Sequence, residues 1–451
     1  MLTRFEVHGF KNLLEFQADF GPLTCLVGPN GVGKSNLFDA IRFLSLLAER
    51  PIMEAALAVL GPEADAGNLP DLFWTNGQTR LDEIRLAAEM IVEPTVVDDS
   101  GREAQATSTF LRYELRLGYR APERADQLGR LELRAEELTY IAEGEASKHV
   151  RFPHSAGRFR DAAVVNRRHA GSGYIATRSN DDGAVEILVH QDAGSTGAPV
   201  AHAASAPSTI VATSNTASTP TILAARREMQ AWRIPATDAL ANDGLYGSLP
   251  AVVHRLTQAG REGAEERRRR LVRRLAHVFP IRDLTVEVDE TGGRVDLRIH
   301  ENRGANLPLR SLGDGALRFL ALAVRREDPD GRGLLVLDPP ESGIHPSHIN
   351  AVAGLLQELA VDPYQAPGPE NPLRQVLFAT HSPVLAQLQE PADLLMARSE
   401  EVPGPGDSQV QALRCRPFQE TWRDVDGNGL GRAAIVDFLR PLTAEQLKLA
   451  F

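Results

Sequence analysis

Gly28-Pro29-Asn30-Gly31-Val32-Gly33-Lys34-Ser35 fits the pattern G-x-x-x-x-G-K-[ST] at every fixed position. Its glycines let successive backbone N–H groups turn toward one anion, with the positive end of a following helix behind them. Lys34 is then set to reach the β- and γ-phosphates and Ser35 to bind Mg2+, with Asn36 beside them in the cofactor-binding set. Far downstream, Leu334-Leu335-Val336-Leu337 is an apolar run that ends in Asp338. A carboxylate at the C-terminal end of a buried strand lies where ligands bind in α/β folds, so Asp338 is a second holder of the metal. Each feature has an ordinary reading, a chance glycine turn and a strand-end aspartate. Together, in this order, they point to ATP with Mg2+. His381, in Ala379-Thr380-His381-Ser382-Pro383, follows another apolar run, Val376-Leu377-Phe378. A histidine there can hydrogen-bond a γ-phosphate, and on its residues alone it is equally a strand-end polar group.

These residues need elements to position them. Residues 1–27 read as two strands, one alternating through Phe5 and Val7, the other a buried run from Leu23 to Val27 that enters the glycine loop. Leu37, Ile41, Leu44 and Leu47 give the spacing of a helix over 35–48, which completes a strand–loop–helix context. Residues 83–141 alternate as strands. Residues 193–222, rich in Ala, Ser, Thr and Gly without a period, read as a mobile loop or linker. Helix returns over 247–279, followed by a hairpin whose arms hold Leu284, Val286 and Val288 against Val295, Leu297 and Ile299, around Glu290–Gly293. Helix and buried strand alternate over 307–385, Asp362 to Pro372 is a Pro/Gly loop, and the chain ends in short elements and a helix. The expected fold is α/β, a mixed or parallel sheet flanked by helices and interrupted by a large α+β insertion. The expected parts are residues 1–94 and 301–395 as two halves of one nucleotide domain, 95–300 as the insertion, and 396–451 as a C-terminal extension.

With 451 residues the chain can bury a large core, and its net charge of -11 gives no global attraction to nucleic acid or anionic membrane. Cys25 and Cys415 stand apart, without metal or redox spacing, which fits a reducing cytosol. No apolar stretch is long enough to span a bilayer, and Arg4, Glu6, His8 and Lys11 interrupt any leader-like core, so a cytoplasmic protein is expected.

The motifs resemble an ABC-type ATPase of the group that contains the RecF, SMC and OLD-family heads, an AAA-type bacterial ATPase without an attached nuclease domain. Phe5-Glu6-Val7-His8-Gly9-Phe10-Lys11-Asn12 resembles the first strand of that group, and the phosphate loop follows. Leu312-Gly313-Asp314-Gly315-Ala316-Leu317-Arg318 resembles its signature segment. Leu337-Asp338-Pro339-Pro340-Glu341-Ser342-Gly343-Ile344-His345-Pro346 is similar to its D-E-P-E-x-G-L-H-P, with His381 as the switch histidine. The insertion is matched only around Gly244-Leu245-Tyr246-Gly247-Ser248-Leu249-Pro250. The resemblance implies heads that pair face to face as a homodimer or a higher even-numbered oligomer. ATP then lies between the phosphate loop of one copy and Gly313, Asp314 and Gly315 of the other. It implies a nucleotide-driven switch in DNA maintenance or anti-phage defence, acting through a separate effector protein because too little chain follows His381 for a nuclease. A DNA-binding repair or recombination factor and a nearly non-hydrolysing ATP-bound scaffold are the alternatives.

Two departures from the group matter. Pro339 stands where a glutamate normally polarises the attacking water, and Gly313 stands where a serine meets the γ-phosphate, with Ser311 two residues earlier. Loss of a general base costs ~10²–10⁴ in rate, so slow turnover is expected. Glu341 becomes a substitute base if the Pro339-Pro340 turn redirects it, and is otherwise an interface or structural carboxylate. Gln78 lies roughly where such heads sense Mg2+, and reads better as an exposed turn residue. Arg267–Arg270 with Arg273 and Arg274 form the strongest basic cluster. Arg269, Arg270 and Arg273 could track a phosphate backbone, whereas Glu265 and Glu266, four residues before Arg269 and Arg270, favour a solvated, ion-paired helix. Asp424-Val425-Asp426-Gly427-Asn428-Gly429 mimics half a calcium loop but has Ile435 at the twelfth position, which makes it a polar turn.

Overall fold

The computed structural model describes residues 1–122, 124, 128–167, 173–179, 185–192, 200–203, 207–234, 249–258, 260–289, 294–405, 408–431, 433 and 434. Two large sheets share one core. The first has five strands in the order Gly333–Leu337, Arg374–Thr380, Leu23–Val27, Leu394–Pro403 and Gln409–Pro417. The first four are mutually parallel and the last is antiparallel, so the sheet is mixed. Leu23–Val27, Gly333–Leu337 and Arg374–Thr380 are buried at every residue because both faces of the sheet are covered. Leu26, Val336, Leu377 and Ala379 face one hydrophobic cluster. Their neighbours Cys25, Val27, Leu335, Leu337, Val376 and Phe378 face the other.

The cluster on the first face is built around the helix Lys34–Leu47, whose Leu37, Phe38, Ile41 and Leu44 are buried. Beyond that helix lies an eight-stranded antiparallel sheet that runs from Val200–Ala203 through Val185–Val189, Ile175–Ser179, Arg130–Tyr140, Phe110–Arg120, Glu83–Ile91 and Leu2–His8 to Phe16–Asp19. On the opposite face the helices Leu249–Thr257, Ala264–Leu275, Asp314–Glu327 and Ile349–Leu359 pack with a three-stranded sheet, Ile281–Asp289, Arg294–Glu301 and Asn306–Pro308.

Several expectations change. Residues 1–27 hold three strands, because Phe16–Asp19 pairs back on Leu2–His8. The boundary drawn at 94/95 falls inside one sheet: Glu83–Ile91 pairs with Phe110–Arg120, on the far side of that boundary. Residues after 395 are integral to the mixed sheet, since Leu394–Pro403 pairs directly with Leu23–Val27. The segment expected as a mobile loop contains the strand Val200–Ala203, the helix Ile210–Thr213 and the start of the helix Pro220–Gln230, with Ile210, Val211 and Ile222 buried; its residues 193–199 and 204–206 lie outside the described residues. So do Glu290–Gly293, Gly244–Ser248 and the expected helical end from 435.

That segment is ordered by a buried carboxylate. Glu136, 0% exposed, accepts from Ile210 N at 2.7 Å, Val211 N at 3.0 Å and the Tyr113 hydroxyl at 3.0 Å. Burial pushes its carboxyl up to about 7, and the two backbone donors and Tyr113 resist that rise. A carboxyl raised on folding stabilises fully below its unfolded value near 4.5, and that stabilisation is lost as pH rises through 7. Glu136→Gln removes this dependence. The variant's stability relative to wild type is therefore expected to improve between pH 5 and pH 8, by up to about 3 kcal/mol. Urea denaturation at the two pH values measures it, and a difference that does not change with pH contradicts the assignment.

Candidate nucleotide-binding site

Three parallel strands end side by side. Thr380 pairs with Val27 and Phe378 with Leu337, so Gly28, Asp338 and His381 all emerge at the C-terminal edge of the sheet. Leu23–Val27 delivers the chain into a loop of positive-φ glycines, Gly28 at 152°, Gly31 at 78° and Gly33 at 107°, and the helix Lys34–Leu47 begins at once. Two of these glycines are also required by contact. A Cβ on Gly33 falls 2.1 Å from the Asn12 amide nitrogen, and one on Gly28 falls 2.4 Å from the Ala397 carbonyl oxygen.

Lys34 is only 5% exposed. Its ammonium donates to the Gly28 carbonyl at 2.9 Å and the Pro29 carbonyl at 2.7 Å, which folds the loop over its own lysine. Burial lowers its pKa, against the raising pull of Asp338. The Ser35 hydroxyl donates to Asp338 Oδ2 at 3.0 Å, although the two are 303 residues apart in sequence. A hydroxyl and a carboxylate oxygen in contact beside a buried lysine form a hard-oxygen donor set of the kind Mg2+ takes together with phosphate oxygens. The residues present fit magnesium–ATP: Ser35 and Asp338 for the metal, Gly28–Lys34 for the phosphates.

His381 is exposed at the edge. Burial of part of the ring and the nearby Lys34 charge lower its pKa, against Asp338 and Glu341. The neutral imidazole is thus favoured, with one nitrogen free to donate to a phosphate oxygen. Glu341 is also brought to this edge. Thr380 Oγ1 donates to its Oε1, and its Oε2 is buried without a partner.

Two supports went unread in the sequence. Asn12 donates to the Val32 carbonyl at 2.9 Å and accepts from Asn36 at 2.9 Å, so Asn36 braces the loop from behind. Lys11 pairs with Asp39 on the helix. Only the adjacency of Lys11-Asn12 to the first strand could have signalled them.

Gly313, Asp314 and Gly315 are not brought to this loop. Among the described residues, no hydrogen bond joins them to Gly28–Asn36 of the same chain. Gly313 caps the helix Asp314–Glu327 with extended backbone and no side-chain cap, and Gly313 and Asp314 are exposed. Gly315 is pressed on the turn after Glu341: a Cβ there falls 2.0 Å from the Gly343 carbonyl oxygen.

The basic helix Ala264–Leu275 is a laced surface. Arg268 pairs with Asp283 at 2.6 Å, Arg270 with Glu327 at 2.7 Å and Arg274 with Glu358 at 2.6 Å, while Arg269 and Arg273 reach Glu265 and Glu266 at 3.4 and 4.0 Å. Gln78 is exposed in a turn organised by Asn76, whose side-chain oxygen accepts from the Gln78 and Thr79 amides. Asp424 accepts from Gly429 N at 2.7 Å, a closed polar turn. Among the described residues no group of three or more His, Cys, Asp or Glu could hold a metal, and no helix is long and apolar enough to cross a membrane.

Residues 23–386 match the protein family described as AAA domain, putative AbiEii toxin, Type IV TA system. The chain is similar to the DNA replication and repair protein RecF of Phocaeicola vulgatus, 41% identical over 46 residues, and of Lactobacillus gasseri, 46% identical over 46 residues. Each match covers 10% of this chain, and the chain spans 12% of the length of those curated relatives. Among solved structures it is similar to an SmcHead bound to the C-winged helix domain of ScpA, at 11% identity over 93% of this chain and 98% of that one, TM-score 0.48. It is also similar to the SMC head domain from Thermotoga maritima, at 11% identity over 93% and 99%, TM-score 0.36.

If Ser35 and Asp338 share one magnesium, ATP affinity depends on the metal through them. Wild type is expected to lose at least about tenfold in ATP affinity on chelation of Mg2+. Ser35→Ala and Asp338→Asn are expected to bind weakly and with little further loss, and Lys34→Ala to bind least. Titration calorimetry with and without EDTA measures this; a full magnesium effect retained in Asp338→Asn contradicts the site.

Proposed function

The chain belongs to the AAA domain family described as putative AbiEii toxin, Type IV TA system, and from that premise and its nucleotide site we propose that it is a magnesium–ATP-driven dimerisation switch. One observation carries the reading: the phosphate loop with Ser35 and Asp338 is assembled within one chain, while the exposed Gly313–Asp314 helix start makes no hydrogen bond to it among the described residues. The uncapped N–H groups at that helix start suit an anion presented by another copy. In two copies placed face to face, each helix start completes the other's triphosphate site.

The chain's own groups divide the work. The loop amides and Lys34 take the β- and γ-phosphates, and Lys34 exchanges its two loop carbonyls for phosphate oxygens. Ser35 and Asp338 hold the magnesium that arrives with ATP, which neutralises phosphate charge. Neutral His381 reports the γ-phosphate by a hydrogen bond that ADP does not offer. Binding energy from both copies then shifts the population from separate to paired heads.

A family description that names a toxin and a system agrees with an ATPase that acts beside a separate effector, in defence or DNA maintenance. The RecF relatives by name belong to DNA replication and repair, and a direct DNA role is the alternative. The carboxylate partners of Arg268, Arg270 and Arg274 leave the basic helix less charge to offer nucleic acid, which favours the effector reading. A scaffold that holds ATP with little hydrolysis is favoured by one specific observation, proline at position 339.

Magnesium–ATP is expected to convert the purified chain to a dimer or an even-numbered oligomer in sedimentation velocity. Asp314→Lys, on the exposed helix start, is expected to keep ATP affinity and lose assembly. A chain that binds ATP and stays monomeric, or an Asp314→Lys variant that assembles as wild type does, contradicts the switch.

A further inference from the structure

We infer that Glu341 is the general base for hydrolysis of the bound triphosphate, replacing the side chain that Pro339 lacks, and that Thr380 is its positioning residue. This rests on the nucleotide reading above. Pro339 follows Asp338 directly and offers neither a titratable group nor an N–H. The chain then turns tightly, with Ile344 N donating to the Glu341 carbonyl at 3.0 Å. That turn folds the Glu341 side chain back onto Thr380, at the end of the strand Arg374–Thr380.

The contact there is directional. The Thr380 hydroxyl oxygen accepts from Ser382 N at 2.9 Å, so its proton is aimed at Glu341 Oε1. Thr380 is 0% exposed and ends an inner strand of the mixed sheet, paired on both sides, a rigid base. Glu341 Oε2 is the unusual atom: it is enclosed, and it has no hydrogen-bond partner. A buried carboxylate oxygen without a donor is costly, and a purely structural clamp would satisfy both oxygens. Its charge acts on His381 together with those of Lys34 and Asp338, which places it in the field of the phosphate-contacting groups. One carboxylate oxygen is fixed by Thr380 and the other has an unused acceptor position, the capacity a water-activating base requires once nucleotide and water enter the site.

The step balances with water as the only added reactant. Water oxygen bonds to the γ-phosphorus while Oε2 takes one of its protons. The bond from the γ-phosphorus to the β–γ bridging oxygen breaks, and its electron pair leaves with ADP. The proton passes from Glu341 to solvent as inorganic phosphate departs, which restores the carboxylate.

The test uses the full chain and two separate readouts, single-turnover ATP hydrolysis and magnesium–ATP affinity, with the lifetime of the ATP-bound dimer as a third. Glu341→Gln is expected to slow hydrolysis by about 10²–10⁴-fold, to keep affinity within about threefold and to lengthen the dimer lifetime. Thr380→Val is expected to lower kcat at unchanged KM, and Thr380→Ser, which keeps the hydroxyl, to restore it. Hydrolysis at the wild-type rate in Glu341→Gln overturns the inference. So does affinity lost in step with rate, which marks a structural carboxylate. Equal rates in Thr380→Val and Thr380→Ser overturn the role of Thr380. A wild-type chain that binds magnesium–ATP and dimerises without hydrolysing it overturns the base and leaves the switch standing, whereas a wild-type chain that binds no ATP removes both.

Discussion

Everything at the nucleotide edge depends on the register of three parallel strands. Val27 pairs with Thr380, and Leu337 with Phe378 two residues before that strand ends, so the residues that follow the three strands, Gly28, Asp338 and His381, come out at the same sheet edge. A slip of one residue in any of them would turn its whole side-chain set over to the opposite face. Burial on both faces prevents that. Val336 and Leu335, or Leu377 and Phe378, are committed to different hydrophobic clusters, and neither cluster can accept the other's set without loss of packing. The contact between Ser35 and Asp338 is therefore enforced by the core beneath it, and the hydrogen bond only reports it.

The same core explains why so much chain lies between the two halves of the site. The helix Lys34–Leu47 is covered by the eight-stranded sheet, to which residues up to Ala203 contribute strands. That sheet begins with Leu2–His8 and so leads to Lys11 and Asn12, the pair that grips the phosphate loop and its helix. The strands that lie between the two halves of the site in sequence thus join the same sheet as Leu2–His8, next to the residues that hold the loop. The strand Leu394–Pro403 bounds the loop as well: the Ala397 carbonyl sits so close to Gly28 that only glycine fits there.

Motif and period carried the site's main parts in the sequence, because each was local. Glycine spacing gives the loop, an apolar run ending in Asp gives the carboxylate that meets Ser35, and the hairpin of Leu284–Ile299 follows strict alternation with the register Val288 to Val295. What was not legible is what depends on pairing across distance. The short strand Phe16–Asp19 has too few residues to show a period and exists because Leu2–His8 offers it an edge. The helix Ile210–Thr213 lies in a stretch of small residues without pattern, and it is fixed by Glu136 from a strand far upstream. Asn12 and Thr380 are ordinary polar residues by spacing, and only the fold shows what their side chains hold. The arginine cluster shows the reverse. It was conspicuous in sequence, yet Asp283, Glu327 and Glu358 meet it from other elements.

The proline after Asp338 bears on how such a switch keeps time. A switch driven by ATP needs a bound state that lasts long enough to be read and a reaction that ends it. Binding energy sets how far the population moves toward paired heads, and hydrolysis sets how long it stays there. A base directly after the metal carboxylate would hold the water on the same short segment as the metal. A base displaced along the turn, and dependent on a hydroxyl at the end of a neighbouring strand, ties the chemistry to the alignment of two strand ends and of the turn between Glu341 and Gly343. That turn also carries the packing surface for Gly315, at the start of the helix that a second copy would use. In the proposed pair of heads, a second copy set against the Gly313–Gly315 helix start would bear through Gly315 on Gly343, two residues from Glu341. On that proposal the route from assembly to hydrolysis would be a few bonded and packed groups long, and a chain without the usual glutamate could couple the two.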